Sequence, residues 1–531
     1  MSTTSNPSTA RLATLPDAEI LIEQLQQKLQ AAEKKVQVTE QKLQTAELRV
    51  QVLEERLRLR RIEKYGLGSE KLSNLQLELL EREPGVSQAE VQAEGERPVI
   101  AGDSVEVAAH GRKKRPHPGR QSLPPELPRV ERVIPCPAEQ CVCGQCGTPT
   151  TLIGYEESEQ LEVEPAKYFV LVTKREKRAC KGCDGIVSAP VPVRIIEKGL
   201  VSDRVVIDTV VNKYCDHLPL YRQSVILGRE AGVEISRATL TGWVMSVGEM
   251  LRPLVAVMGR ELVAGSYLQA DETPVDVQTH DGRGSNHEAF LWQYGRPGGA
   301  TVFEFRMGRD RAGPKRFLEH FRGILQTDGY QAYDQVGGWG MVHAACWTHA
   351  RRGFANVVKL NPGDPVATPL VARINQLFAI DAEAREHGLS GEARHQLRQQ
   401  RAPGCLGKLK AEIEAAQAGA LLGGALEKAC KYTLGLWPRL TRFLDYPELE
   451  LSNNLAENSM RPVALGRKNW IHIGSPQAGP KVAAILSVIE TCRRMKIAVR
   501  DYLAAVLPGM ADVSIQRLAD LTPSAWAARN Q

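Results

Sequence analysis

From Ile20 to Glu63 the chain runs without glycine or proline while an apolar residue returns every seven positions. With Ile22 at heptad position a, that series reads Ile22, Leu29, Val36, Leu43, Val50 and Leu57, apolar throughout. The d series, Leu25, Ala32, Thr39, Ala46, Leu53 and Arg60, is weaker. A 3.5-residue repeat of this length predicts a supercoiled helix pair about 54 Å long at about 1.5 Å per residue. The flanks choose its direction. Position e carries Gln26, Glu33, Glu40, Glu47 and Glu54, and position g carries Lys28, Lys35, Lys42, Arg49 and Arg56. In a parallel dimer Lys28 meets Glu33, Lys35 meets Glu40, Lys42 meets Glu47 and Arg49 meets Glu54, whereas an antiparallel pair sets like charges together. Each exposed pair is worth only about 0.3 to 0.5 kcal/mol, but four on each side, set against repulsion in the alternative, decide orientation. A parallel homodimeric zipper over 17–71 is expected. The competing reading is a solvated helix folded back on its own chain.

The 531 residues leave room for three or four domains. No run of 18 apolar residues occurs and the first twenty lack the apolar core of a signal peptide, which predicts no membrane span and a cytoplasmic, nucleoid-associated protein. A net charge of +6 is too small to name a partner, so its distribution matters. Over 72–130 the periodicity fades into a Glu-, Gln-, Gly- and Pro-rich linker that cannot bury enough surface to order itself. Within it Arg112, Lys113, Lys114, Arg115 and Arg120 form an acid-free basic hook suited to phosphates, or else a solvated charge run.

Six of the eleven cysteines crowd between 136 and 183, which points to a reduced chain with a local metal site. Cys143-x2-Cys146 and Cys180-x2-Cys183 can each offer two thiolates from a tight turn, completing a tetrahedral structural zinc shell within a module at 131–195. A set that swaps in Cys136 or Cys141 stays open, as do unliganded thiols. A helix-turn-helix is expected at 200–250: Gly232 and Val233 suit its turn and Ser236 its cap, with Leu240 and Trp243 on the buried face. Arg237, Thr239 and Thr241 would then face DNA. A generic helical hairpin fits the same string.

Strands carrying SYLQADETPVDVQ, FLWQYGR and ATVFEFR, a helix PKRFLEHF and a strand GILQTDGYQAY follow in the order of an RNase H-like mixed sheet, here at 262–490. Adjacent central strands would bring Asp271 and Asp328 together, and a later helix offers Glu457. Three clustered carboxylates repel unless cations neutralise them, which implies catalytic Mg²⁺ or Mn²⁺ and in-line displacement at phosphate. Glu272, Asp276 and Asp334 compete for these roles. Arg461, Arg467 and Lys468 are placed to hold phosphates.

The strings LQADETPV, TDGYQAY, CWTHARR and NNLAENSMRPVALGRKNWIHIGS, with KYGLGSEK after the zipper and KYCDHLPLYRQ before the turn, resemble in order the large transposase of the insertion sequence 66 family. The likeness continues through LSVIETCRRMKIAVRDYLAAVL and RLADLTPSAW, leaving out only the linker. It implies a DDE transposase with its triad on Asp271, Asp328 and Glu457, and a helical insertion at about 360–445. Cys346-x2-His349 resembles a pair found near the pocket of several such enzymes and would support the site; a core thiol and a helix-face imidazole is the other reading. Arg351 and Arg352 read as DNA contacts, and Gly353 departs from the family's usual lysine.

The expected fold is therefore a multidomain α/β protein: coiled coil, small zinc-binding β module, helix-turn-helix, RNase H-like domain with a helical insertion, and a C-terminal helical segment at 491–531. It would bind the terminal inverted repeats of its element and catalyse cleavage and strand transfer into target DNA, assisted by small accessory proteins of the same element. A catalytically inactive DNA-binding regulator, or a nuclease without strand transfer, would share part of the pattern.

Overall fold

The computed structural model describes residues 15–65, 149, 168–179, 186–197, 199–279, 282, 286–361, 364–389 and 391–530, with side chains of the first helix from 22 to 58. The basic hook and the thiols Cys143, Cys146, Cys180 and Cys183 lie outside the described residues. Helix α1, Leu15–Tyr65, is continuous, as its unbroken run of helix formers dictates. Its a positions stand bare in the single chain, Ile22 at 54% and Leu43 at 61% exposed. The opposite face meets the body: Val52 and Glu55 are half-buried, and the Ala425 amide donates to Glu55 Oε2 at 2.9 Å.

Strands β1, Lys177–Ala179, and β2, Ile186–Ser188, pair antiparallel on either side of the second cysteine pair. Three helices follow: α2 (Asp203–Tyr214), α3 (Leu220–Ala231) and α4 (Arg237–Val263). Gly232 ends α3 at φ 66°, a left-handed conformation that costs a residue without Cβ little. Ser236 caps α4, its Oγ accepting from the Thr239 amide at 3.1 Å. Leu240 and Trp243 are buried while Arg237, Thr239 and Thr241 are exposed. The backbone does not break between 250 and 262. Buried Val247, Leu251, Leu254, Met258 and Leu262 continue one helical stripe that carries α4 into the core of the following sheet.

That sheet contains β3 (Tyr267–Val277), β4 (His287–Gly295), β5 (Thr301–Arg306), β6 (Ile324–Thr327) and β7 (Val342–Ala345), with α5 (Ala312–Leu318) between β5 and β6. The spatial order is β5-β4-β3-β6-β7, the first three antiparallel and β3, β6 and β7 parallel. Helix α6 (Trp347–Leu360) leaves β7 and leads to α7 (Ala367–Glu386), α8 (Glu392–Gly419), α9 (Ala425–Gly435) and α10 (Trp437–Leu440). The chain returns through α11 (Asn454–Trp470) and α12 (Gly479–Arg494), then ends in α13 (Val499–Val506) and α14 (Pro523–Asn530).

Two cores lie on opposite faces of the sheet. Leu268, Ala270 and Leu325 pack with α4 and α12, whereas Tyr267, Ile324 and Ala344 pack with α6 to α10. Glycine at 353 brings α6 against α9, since a Cβ there would meet that of Ala429 at 3.1 Å. No helix among the described residues is long and apolar enough to cross a membrane.

Candidate active site

Parallel neighbours β3 and β6 deliver Asp271 and Asp328 toward the same end of the sheet, and the first turn of α11 presents Glu457. Asp328 follows the last residue of β6 and organises a tight turn, its Oδ1 accepting from the Tyr330 amide at 2.8 Å. Gly329 sits there at φ 92°, where a Cβ would strike Leu436. The Tyr432 hydroxyl of α9 donates to the Asp328 carbonyl, so the insertion holds this turn.

The competing acids are sorted by their partners. Glu272 lies on the opposite face of β3, where Arg309 donates to Oε1 at 2.6 Å and the Tyr333 hydroxyl donates to Oε2 at 2.8 Å. Asp334 pairs with Arg439 at 2.7 Å and with His343 at 3.4 Å. Asp276 is exposed at the far end of β3. Asp271, by contrast, touches no cationic side chain among the described residues; its Oδ1 accepts only the Glu272 amide, at 2.9 Å. Burial raises its carboxyl well above the ordinary range, and the charges of Glu457, Glu272 and Asp328 push it further.

Arg352 Nη2 donates to both Glu457 oxygens at 3.2 Å, and His349 Nε2 stands 3.3 Å from Oε1. Burial lowers the His349 pKa, a shift that Glu457 opposes. Cys346 is buried, its thiol pushed up to about 12 by desolvation, and accepts the Asn453 amide at 3.4 Å. The Cys-x2-His pair thus divides: the thiol pins the approach to α11 while the imidazole faces the acid.

The basic residues divide as well. Arg351 is 6% exposed and donates to Asn375 Oδ1 at 2.6 Å, turned into the insertion and not toward a surface that DNA can reach. This corrects its expected role as a phosphate contact: Trp347, Arg351, Phe354 and Val358 form one buried helical stripe. Arg467 donates to the Pro274 carbonyl, tying α11 to β3. Arg461 is half-buried and Lys468 exposed.

As placed, no three carboxylate, imidazole or thiol groups among the described residues converge closely enough to hold an ion. Glu457 is drawn to Arg352 and His349. The donor set nevertheless fits a hard divalent cation: carboxylate oxygens from three parts of the fold, one of them half-buried without a counter-charge among the described residues. Because Asp271 has a higher pKa folded than unfolded, its ionisation opposes folding as pH rises above the ordinary carboxylate value. Asp271→Asn is therefore expected to raise the melting temperature at pH 7.5 in Mg²⁺- and Mn²⁺-free buffer. A rise of about 2–4 °C corresponds to about 1 kcal/mol. The gain should vanish at acidic pH, where both states hold the proton, and calorimetry at the two pH values checks it.

The model of the Transposase IS66 family matches residues 198–481, more than half of the 531. The model described as zinc-finger binding domain of transposase IS66 matches 140–184, and that described as Transposase C of IS166 homeodomain matches 52–132. The uncharacterized proteins y4qI and y4jD of Sinorhizobium fredii are each 33% identical to this chain, over 449 and 435 residues. These alignments cover 81% and 77% of this chain and 79% and 84% of the relatives. A third protein of that organism, y4hP, is 29% identical over 498 residues, covering 88% of this chain and 87% of its own. The chain belongs to the IS66 transposase family.

Proposed function

We propose that this transposase is a DDE enzyme whose Asp271, Asp328 and Glu457 hold two divalent cations, and that it cleaves and joins DNA at the terminal inverted repeats of its element. The observation that carries the reading is the half-buried Asp271, which meets no cationic side chain among the described residues and lies beside the charges of Asp328 and Glu457. The strand order β5-β4-β3-β6-β7, with only β4 antiparallel to both of its neighbours, supports an RNase H-like domain. Bound at these carboxylates, Mg²⁺ or Mn²⁺ would activate the attacking oxygen and stabilise the leaving one. The chain's own residues orient the reaction. The Asp328 turn is held by Tyr432, and α11 is tied to β3 through Arg467. To hold a cation Glu457 would have to be released by Arg352, which at 51% exposure could turn its guanidinium to a DNA phosphate. In the joining step a DNA 3′-hydroxyl would lose its proton to solvent and bond to the target phosphorus as the bridging P–O bond opposite it breaks, the departing 3′-oxygen keeping the electron pair and taking a proton from solvent.

Arg237, Thr239 and Thr241 on the exposed start of α4 fit a DNA groove, in a module whose helix runs on into the catalytic core. Zinc at Cys143, Cys146, Cys180 and Cys183 would fold the preceding module; Cys180→Ser should lower zinc content below one ion per chain and weaken end binding, and an unchanged zinc content would reassign that ligand. The bare a positions of α1 suit a parallel partner copy. The test incubates purified protein with labelled end DNA and target DNA in Mg²⁺ or EDTA. A joined product in Mg²⁺ alone is expected. Tight end binding without cleavage, even with the element's accessory proteins, would favour a binding regulator, and cleavage without joining a nuclease.

A further inference from the structure

Gln269 and Gln326 are buried amides, 1% and 0% exposed, and register partners on the parallel strands β3 and β6. Central parallel strands ordinarily bury apolar side chains on both faces, and a desolvated amide is costly unless its polar atoms find partners. Here each amide nitrogen finds a partner in the stretch that returns from the insertion, while Gln269 Oε1 has none among the described residues. Gln269 Nε2 donates to the Ser452 carbonyl at 2.9 Å, and Gln326 Nε2 donates to the Glu450 carbonyl at 2.7 Å. The two amides are joined, Gln269 Nε2 donating to Gln326 Oε1 at 3.0 Å, and the Tyr267 hydroxyl donates to the same oxygen at 2.6 Å.

Residues 449–453 belong to no strand, so their main chain is secured largely by other means. Besides the two glutamine bonds, the Glu450 amide donates to the Tyr267 hydroxyl at 3.3 Å and the Leu451 carbonyl accepts the Trp347 amide at 2.9 Å. Immediately afterwards α11 begins, with Glu457 in its first turn. Alternation along a strand puts Gln269 on the face of Asp271 and Gln326 on that of Asp328, each about 7 Å, or two residues, before its acid. One pleat therefore presents the two aspartates, and the pleat below it holds the segment that delivers the glutamate.

We propose that Gln269 and Gln326 are positioning residues for Glu457: they fix residues 449–453 against the two aspartate-bearing strands and so set where α11 starts. The proposal deepens the triad reading and rests on it for its catalytic consequence.

Full-length Gln269→Met, Gln326→Met and the double variant keep volume and remove the donors. Hydrogen exchange in Mg²⁺- and Mn²⁺-free buffer is compared with Mn²⁺ titration and with the rate of end joining. The expected result is at least tenfold faster exchange of the amides at 454–460, with β3 and α12 unchanged. Mn²⁺ affinity and joining rate should each fall at least tenfold while end binding holds. Arg373→Ala, which breaks the 2.7 Å pair with Glu412 inside the insertion, reports what general loosening does. Unchanged exchange and Mn²⁺ affinity would overturn the proposal, as would the same changes in Arg373→Ala. If the double variant does not fold, Gln269→Met decides by the same readouts. Wild-type protein that takes up no Mn²⁺ would overturn the triad reading, while exchange at 454–460 would still decide the positioning role.

Discussion

Asp271→Asn is expected to abolish DNA cleavage and joining while leaving end binding within about twofold of wild type. An amide cannot supply the anionic oxygen a divalent cation needs, and losing several kcal/mol of charge stabilisation at the phosphate corresponds to at least about 10³-fold in rate. The substitution changes two atoms' chemistry and almost no volume. It also removes the charge that burial disfavours, so the inactive variant should melt higher than wild type in the absence of Mg²⁺ and Mn²⁺. Loss of activity joined to gain of stability separates a missing ligand from a misfolded chain. Retained strand transfer would remove Asp271 from the site.

The second large effect is structural. Arg398 is 1% exposed and grips Asp381 through two bonds of 2.7 Å, while its Nη1 donates to the Leu449 carbonyl at 2.8 Å. Burial alone would raise the Asp381 carboxyl, but Arg398, Arg394 and Arg385 outweigh it and hold it below the ordinary value. Among the described residues, Arg398→Ala leaves Asp381 only the longer cationic contacts of Arg394, at 3.8 Å, and Arg385, at 3.9 Å. Breaking a buried pair in this way costs about 3–5 kcal/mol. Replacing both partners together, Arg398→Met with Asp381→Leu, should recover most of that loss. The stability held by this pair is present at neutral pH and is lost as pH falls through the depressed Asp381 value, so the deficit of Arg398→Ala should shrink in acid. Urea denaturation at pH 7 and below pH 4 measures both effects.

Much of this organisation is legible in the sequence because it rests on period and punctuation. The heptads of α1, the Gly232 turn with its Ser236 cap, and the succession of strands along the chain around Asp271 and Asp328 all follow from local rules. Two buried arginines, Arg351 and Arg398, are hard to read in the sequence because arginine is ordinarily a surface residue. The signal was present: Arg351 lies four residues after Trp347, and Arg398 begins the stripe Ala402, Leu406, Leu409 and Ile413. Adjacent Arg351 and Arg352 sit about 100° apart on a helix, so one faces the insertion and the other Glu457. No local break marks an end to the segment that begins at Arg237, because α4 continues as one helix past Pro253 to Val263. No local rule announces that Gln269 and Gln326 face each other. That follows only from the parallel register of strands separated by more than fifty residues.

The carboxylate centre is tested most directly by Mn²⁺ uptake. Zinc-loaded wild type, Asp271→Asn, Asp328→Asn and Glu457→Gln are each titrated on end DNA and followed by electron paramagnetic resonance. The expected result is two ions per wild-type catalytic domain and loss or at least tenfold weakening of one or both in every variant. Equal uptake by all four proteins would contradict the assignment of these three residues as ligands.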